Sequence, residues 1–349
     1  MLGLIDFEQS ELFIDYSIKY HISMGLFDSN DNLIAWCLRY DNGSLGVLQV
    51  DQKHLRKGFG EIVVRAMIKK IAEFCNLKIP IESLPSLRDS YRVNWPEYIG
   101  AFNLIDNLIE RFTKYPEQMQ IQEIFSVDGD ISDSTIIVIL NDKDIILETL
   151  DPEFKLLKIG IRLINFSKMK MFMAAKSIYR KIIMEMIEEK NLKLLFEDKT
   201  IMVHIKKEDA VKLEIKTTDK IEIKNLSLSD AEKINSVWPF ASPESIDFIR
   251  YAITYNKSVG LYEKSSKELV AWCLENDCYS LLALQTDDKN FRKGFGILAA
   301  KAITKKIAEE RNVDVITNIV CENYKSKNLF DKIGFKPINS NLWIGVIEN

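Results

Sequence analysis

The chain has 349 residues, 47% of them hydrophobic and 28% charged, with a formal net charge of −4. That length allows two domains and a sizeable core, and the mild acidity argues against nucleic acid as the main partner. No apolar run is long enough to span a bilayer, so no membrane insertion is expected.

The amino-terminal stretch MLGLIDFEQSE is acidic and lacks the basic start of a signal peptide. A cytoplasmic location is expected, with a mitochondrial one as the alternative. Strands are predicted near 22–28, 33–40 and 45–51, then a helix from about 60 to 75. Pro80 and Pro85 punctuate the next stretch. Tyr98–Arg111 reads as a helix, and Ile121–Ser126, Ser134–Leu140 and Lys143–Glu148 read as strands. Phe154–Asn165 and Met169–Glu189 read as amphipathic helices, with the methionines of the second as core packing. Thr200–His204 reads as a strand, helices start near Lys206 and Leu226, and Ser229 with Glu232 fits a capping box. Three more strands are predicted near 258–263, 269–275 and 280–286, then a helix near 296–311. A strand over Val315–Val320 and a helix from Asn323 to Gly334 follow, with the last strands at Phe335-Lys-Pro and Leu342–Ile347.

Residues 33–73 align without gaps on residues 269–309, at an offset of 236, and 23 of the 41 pairs are identical. The first copy lacks any counterpart of the Val315–Val320 strand and the helix after it. The five cysteines, Cys37, Cys75, Cys273, Cys278 and Cys321, are odd in number and far apart, as expected of reduced thiols. His21, His54 and His204 offer no metal spacing, so no metal is expected.

Chemistry concentrates at Arg292-Lys293-Gly294-Phe295-Gly296, between a predicted strand and a predicted helix. Glycines let the backbone turn sharply and approach a ligand closely. The first amides of the helix have no partner of their own, and they and the two cations favour a phosphate. No Gly-Lys-Ser/Thr follows, so a P-loop is excluded. The glycine spacing alone also fits a dinucleotide fingerprint with Asp314 as the ribose acid, or a plain tight connection.

The second copy with its flanks resembles the GNAT superfamily of acyl-CoA-dependent N-acyltransferases. Phe291-Arg-Lys-Gly-Phe-Gly stands where that family has Q/R-x-x-G-x-G/A, with Phe291 in the first slot. Asn323-x-x-Ser326-x-x-Leu329-Phe330-x-Lys332-x-Gly334-Phe335 resembles its second motif and displaces the dinucleotide reading. Within the superfamily, LPSLRDSYRVNWPEYIGAFNLIDN, LSLSDAEKINSVWPF and LVAWCL look closest to insect glycine N-acyltransferase-like proteins.

The resemblance implies an α/β (α+β) fold, a mixed and mostly antiparallel sheet flanked by helices. It implies a partial leading repeat over 1–77, a GNAT-like N-terminal α+β domain over 78–225, and a complete acyl-CoA-binding domain over 226–349. Acetyl-CoA or a longer acyl-CoA would be the co-substrate. Its pyrophosphate would lie on Arg292, Lys293, Gly294, Phe295 and Gly296, and its pantetheine on the backbone of Leu284, Gln285 and Thr286 and on Asn323 and Ser326. A small primary amine, such as an amino acid, would attack the thioester directly. The family's glutamate base falls on Ser280, and on Ser44 in the first copy. Its tyrosine acid falls on Phe330. Asp287 and Tyr324 are the substitutes named as catalytic candidates, with Glu275 and Asp277 behind them. The alternatives are a catalytically weak acyl-CoA binder and a protein-association module.

Overall fold

The computed structural model describes residues 23–39, 45–75, 78–115, 122–127, 131–141, 143–242 and 244–348. Ser44, His21 and the amino-terminal stretch lie outside these, as does the side chain of Cys75. Three strands come first, β1 (Ser23–Phe27), β2 (Leu33–Arg39) and β3 (Leu45–Val50), then helix α1 (Phe59–Cys75). They form a three-stranded antiparallel sheet of their own. Ala35, Cys37, Val63 and Met67 make its core, as the alternation of β2 and the helical spacing of α1 require.

The remaining strands make one sheet of eleven. Two helices precede β4, the short α2 (Leu84–Ser90) and the longer α3 (Ile99–Lys114). The first half holds β4 (Gln122–Phe125), β5 (Ile136–Leu140), β6 (Asp144–Glu148), α4 (Lys155–Leu163), β7 (Met171–Lys176), α5 (Arg180–Glu189) and β8 (Leu192–Ile205). After α6 (Lys207–Ala210), β9 (Ile221–Lys224), α7 (Ala231–Val237) and α8 (Ser245–Tyr255) come β10 (Ser258–Glu263), β11 (Leu269–Glu275) and β12 (Ser280–Thr286). The chain ends with α9 (Phe295–Arg311), β13 (Val315–Val320), α10 (Tyr324–Ile333) and β14 (Lys336–Glu348). Strand order is β4-β5-β6-β7-β14-β8-β13-β12-β11-β10-β9. Only β6 with β7 and β12 with β13 run parallel. Helices α9 and α10 cover one face of β8 and β10–β13 through Ala300, Ile303, Ile307, Phe330 and Ile333. Helices α7 and α8 cover the other face through Ile234, Ile249 and Ala252, which pack on Trp272 and Leu274.

Each half runs strand, helix, parallel strand, helix, long strand, and the two long strands cross over. β14, which closes the second half, pairs with β7 of the first, while β8, which closes the first, pairs with β13 of the second. β8 and β14 pair with each other along almost their whole length, from Lys336↔His204 to Glu348↔Leu192. A fragment containing only 226–349 therefore leaves the outer edge of β13 without its six rungs to β8. Expressed alone it is expected to be insoluble, because an exposed apolar edge pairs with other chains, and separation of soluble from pelleted fragment checks this.

Several elements differ from expectation. Met169–Glu189 is β7 followed by α5, because Met171–Lys176 inserts between β6 and β14. Burial on both faces of a sheet removes the polar alternation that marks a strand in sequence. β8 and β14 are long single strands where short ones were expected. The capping box before α7 uses Ser227 and Asp230, not Ser229 and Glu232.

Candidate active site

The glycine turn joins β12 to α9. Asp287 closes the first bend by accepting from the Lys289 backbone N–H at 3.2 Å. Arg292 (φ 63°) and Gly294 (φ 82°) then take left-handed conformations, and Gly294 is the N-cap of α9. A Cβ on Gly294 would meet nothing within 4 Å, and one on Gly296 would sit 3.1 Å from Thr286 Oγ1. The turn opens into a cavity of about 330 Å³ whose wall includes Thr286, Asn290, Arg292, Gly294 and Gly296. Lys325, Asn328 and Lys332 of α10 complete it. Lys332 belongs to the second motif of the sequence, whereas Lys325 and Asn328 are additions, and spacings of three and four place all three on one helix face. The cavity thus combines free helix amides, a left-handed glycine and three cations, a set that fits a diphosphate. Lys293 is turned aside, donating to Asn290 Oδ1 at 2.9 Å. Phe295 packs into the core beneath the turn.

Beside the turn the sheet opens. β12 and β13 pair at Ser280↔Ile316 and Leu281↔Thr317 and at no rung beyond. The Thr317 hydroxyl donates to the Leu281 carbonyl at 3.1 Å and closes the narrow end. Beyond it Ala283 takes φ 49°, opposite a register shift at Trp272/Leu274. On the β13 side, the Leu284–Thr286 stretch thus faces a gap rather than a strand, while Gln285 and Thr286 pair with β11 on the other side. Unpaired edge groups of this kind are what an extended amide-bearing ligand satisfies.

The named proton carriers are engaged or peripheral. Asp287 pairs with Lys233 at 3.1 Å, and its carboxyl is held below the ordinary range first by that hydrogen bond. Its place is a cap, and Asp51 makes the same cap on Lys53 in the leading unit. Tyr324 is 70% exposed at the start of α10. Ser280 is buried at the narrow end. Asn323 Oδ1 accepts from the Ser326 N–H at 3.0 Å, so both residues form the N-cap of α10. Glu275 is fully buried against Arg311, and Asp277 pairs with Arg111 at 2.6 Å. Asp314 accepts from Trp95 Nε1 and the Lys207 N–H, a structural role remote from ribose recognition.

The first half carries a matching wedge that is filled. β6 and β7 also pair at two rungs, Asp144↔Met171 and Ile145↔Phe172. Here Phe154, not glycine, takes the left-handed N-cap position of α4 at φ 57°, and its ring packs edge-on against Tyr179. Asp151 accepts from the N–H groups of Glu153 and Lys155 at 2.9 and 2.7 Å, which occupies amides that could hold a phosphate. Buried Glu148 accepts from the Tyr179 hydroxyl at 2.5 Å and pairs with Lys176 at 3.3 Å. Burial pushes the Glu148 carboxyl up and the Lys176 ammonium down. The leading unit repeats the turn almost angle for angle, with Arg56 at φ 64° and Gly58 at φ 80°. Among the described residues its sheet has no strand beyond β3 to form a wedge.

Among the described residues no three histidines, cysteines or carboxylates lie together in a metal-binding group. Nor is any of their helices long and apolar enough to cross a membrane.

The architecture defines the class: a mixed, mostly antiparallel sheet flanked by helices, with one open parallel wedge beside a glycine turn. The model of the FR47-like protein family matches two segments, residues 23–78 and 258–344, which are the leading unit and the segment from β10 to β14. A comparison with curated proteins finds no match. The fold is shared with a Drosophila melanogaster protein of known crystal structure, at 20% identity and TM-score 0.71, over 78% of this chain and 98% of that one. A tandem GNAT protein from the clavulanic acid biosynthesis pathway aligns at 8% identity and TM-score 0.44, over 76% and 94%. A GCN5-related N-acetyltransferase from Sphaerobacter thermophilus aligns at 9% and 0.43, over 70% and 86%.

Proposed function

We propose that the chain is an acyl-CoA-dependent N-acyltransferase acting on a small primary amine. One observation carries this reading: the β12/β13 wedge opens beside the only one of the three described turns that combines a left-handed glycine, free helix amides and a second wall. The diphosphate of coenzyme A would rest on the amides of α9 with Arg292, Lys325 and Lys332 around it. The pantetheine would run along Leu284–Thr286 as an added strand. The amine nitrogen would attack the thioester carbonyl, the C–N bond would form, the C–S bond would break, and the thiolate would leave with the amine's proton passed to solvent. Because Asp287 is held by Lys233 and Tyr324 stands on the surface, rate enhancement would come chiefly from holding the reactants together. The same engagement favours a second reading, an acyl-CoA binder with weak turnover.

A thermal-shift series with acetyl-CoA and longer acyl-CoAs tests binding. Ligand at about a hundred times its Kd stabilises the native state by about 2.7 kcal/mol. Thiol release with a panel of amines then separates enzyme from binder. No shift with any acyl-CoA would sink both.

A further inference from the structure

Among the described residues, two buried polar atoms on the opposite face of the wedge have no partner. Trp272 is fully buried, and its Nε1 donates to nothing; Gln285 Oε1 is buried and accepts nothing. The two residues are direct cross-strand neighbours, Trp272 on β11 and Gln285 on β12. A buried donor and a buried acceptor left unmade on cross-strand neighbours are costly, and a ligand carrying both an acceptor and a donor would satisfy them. Their position bears on the chemistry. Leu284 packs toward α9 and Thr286 lines the phosphate cavity, whereas Ala283 and Trp272 pack on the α7/α8 side. Strand alternation puts Gln285 on that side too. The Gln285 Nε2 donates to the Val237 carbonyl at 2.6 Å, which fixes its amide beneath the end of α7. Next in the chain, Trp238 stacks on Phe248 at 6.0 Å and 18°, an apolar cover beside the pair.

We propose that Trp272 and Gln285 form the acceptor subsite, and that it takes a primary amine bearing a neutral oxygen, an amide or a hydroxyl, rather than a free carboxylate. Gln285 Oε1 accepts from the amine N–H, and Trp272 Nε1 donates to the oxygen. Both protein groups are neutral. The nearby cation Lys233 already serves Asp287 and the Leu269 carbonyl. A carboxylate desolvated there would lack a counter-charge. The inference rests on the acyltransferase reading.

The test is steady-state kinetics with acetyl-CoA and three acceptors: glycinamide, ethanolamine and glycine. Glycinamide is expected to exceed glycine at least about tenfold in kcat/KM, the scale of a hydrogen bond to a buried polar group. Trp272→Phe keeps the ring and removes only the N–H, and Gln285→Leu removes the acceptor. Each is expected to raise KM for glycinamide about tenfold, and Trp272→Phe, which lies outside the pantetheine path, is expected to leave the melting shift with acetyl-CoA unchanged. Gln49→Leu, the equivalent change in the leading unit, serves as the control with no effect. Unchanged KM in both variants would mean that the two atoms merely bracket a buried water, and a preference for glycine would overturn the neutral-oxygen class. If acetyl-CoA binds without turnover, the same predictions apply to the further shift that glycinamide gives the acetyl-CoA complex. If no acyl-CoA binds, the function itself falls, and the subsite with it.

Discussion

Gly294→Asp is expected to weaken acyl-CoA binding at least about a hundredfold, a loss of about 2.7 kcal/mol, while leaving the fold intact. The glycine sits at φ 82° with nothing within 4 Å of a Cβ. Aspartate tolerates left-handed backbone better than most residues, at a cost of roughly 1–2 kcal/mol. Its carboxylate would occupy the mouth of a cavity built from helix amides, Arg292, Lys325 and Lys332, repelling the diphosphate from the place it would bind. Gly58→Asp introduces the same residue at the same backbone angle, φ 80°, with the same open space. It should cost similar strain and change binding not at all, since among the described residues no second wall follows β3. Titration calorimetry with acetyl-CoA on both variants checks this. Loss of binding in Gly58→Asp with the fold intact would show that the leading unit shares the site.

The second large effect concerns stability. Arg311→Met should cost about 3–5 kcal/mol at neutral pH, the range for breaking a buried pair. Glu275 is completely buried and accepts from Arg311 Nε and Nη2, both at 2.7 Å, and from the Lys257 N–H at 2.8 Å. The guanidinium also reaches Glu110 of α3 and lies 4.1 Å from the Tyr279 ring centre, so it ties the first half to the second. Methionine restores the volume but leaves the carboxylate unpaired. The pH dependence has a definite sign. Burial raises the folded value of Glu275 even with Arg311 present. A raised acid loses stability as pH climbs from its unfolded value through its folded one. Removing the arginine raises the folded value further, so the variant's deficit grows with pH. Urea unfolding at about pH 5 and about pH 7.5 should give the smaller deficit at the acid end. An equal deficit at both would show that removing Arg311 does not shift the folded titration of Glu275 across that range.

Much of the site was legible because it is local. The strand, the glycines, Arg292 and the α9 pattern lie within about thirty residues, and a left-handed turn is specified by its own residues, whereas Lys325 and Lys332 come from α10. The duplicated sequence proves the point: Arg56 and Arg292, Gly58 and Gly294 and the β2 and β11 bulges agree closely. What the sequence hid was long-range. β7 reads as helix in sequence because both its faces pack on apolar clusters, Phe172 and Ala175 on one and Met173 on the other. The exchange of β8 and β14 left no local trace, since strand partners are chosen by the whole sheet. The Glu148–Lys176–Tyr179 filling of the first wedge joins residues about thirty apart that no motif links. Asp287 is a substitute proton carrier by sequence, but its partner Lys233, fifty-odd residues earlier, leaves no local signal.

The crossing of the two closing strands has a hereditary consequence. A filled wedge carries no ligand, yet the half that contains it supplies the strand against which the open one is built. Drift can therefore erase chemistry from the first half but cannot delete it. A further strand-turn-helix segment fits in front of that seam, where β1–β3 and α1 form a sheet of their own, without unpicking it.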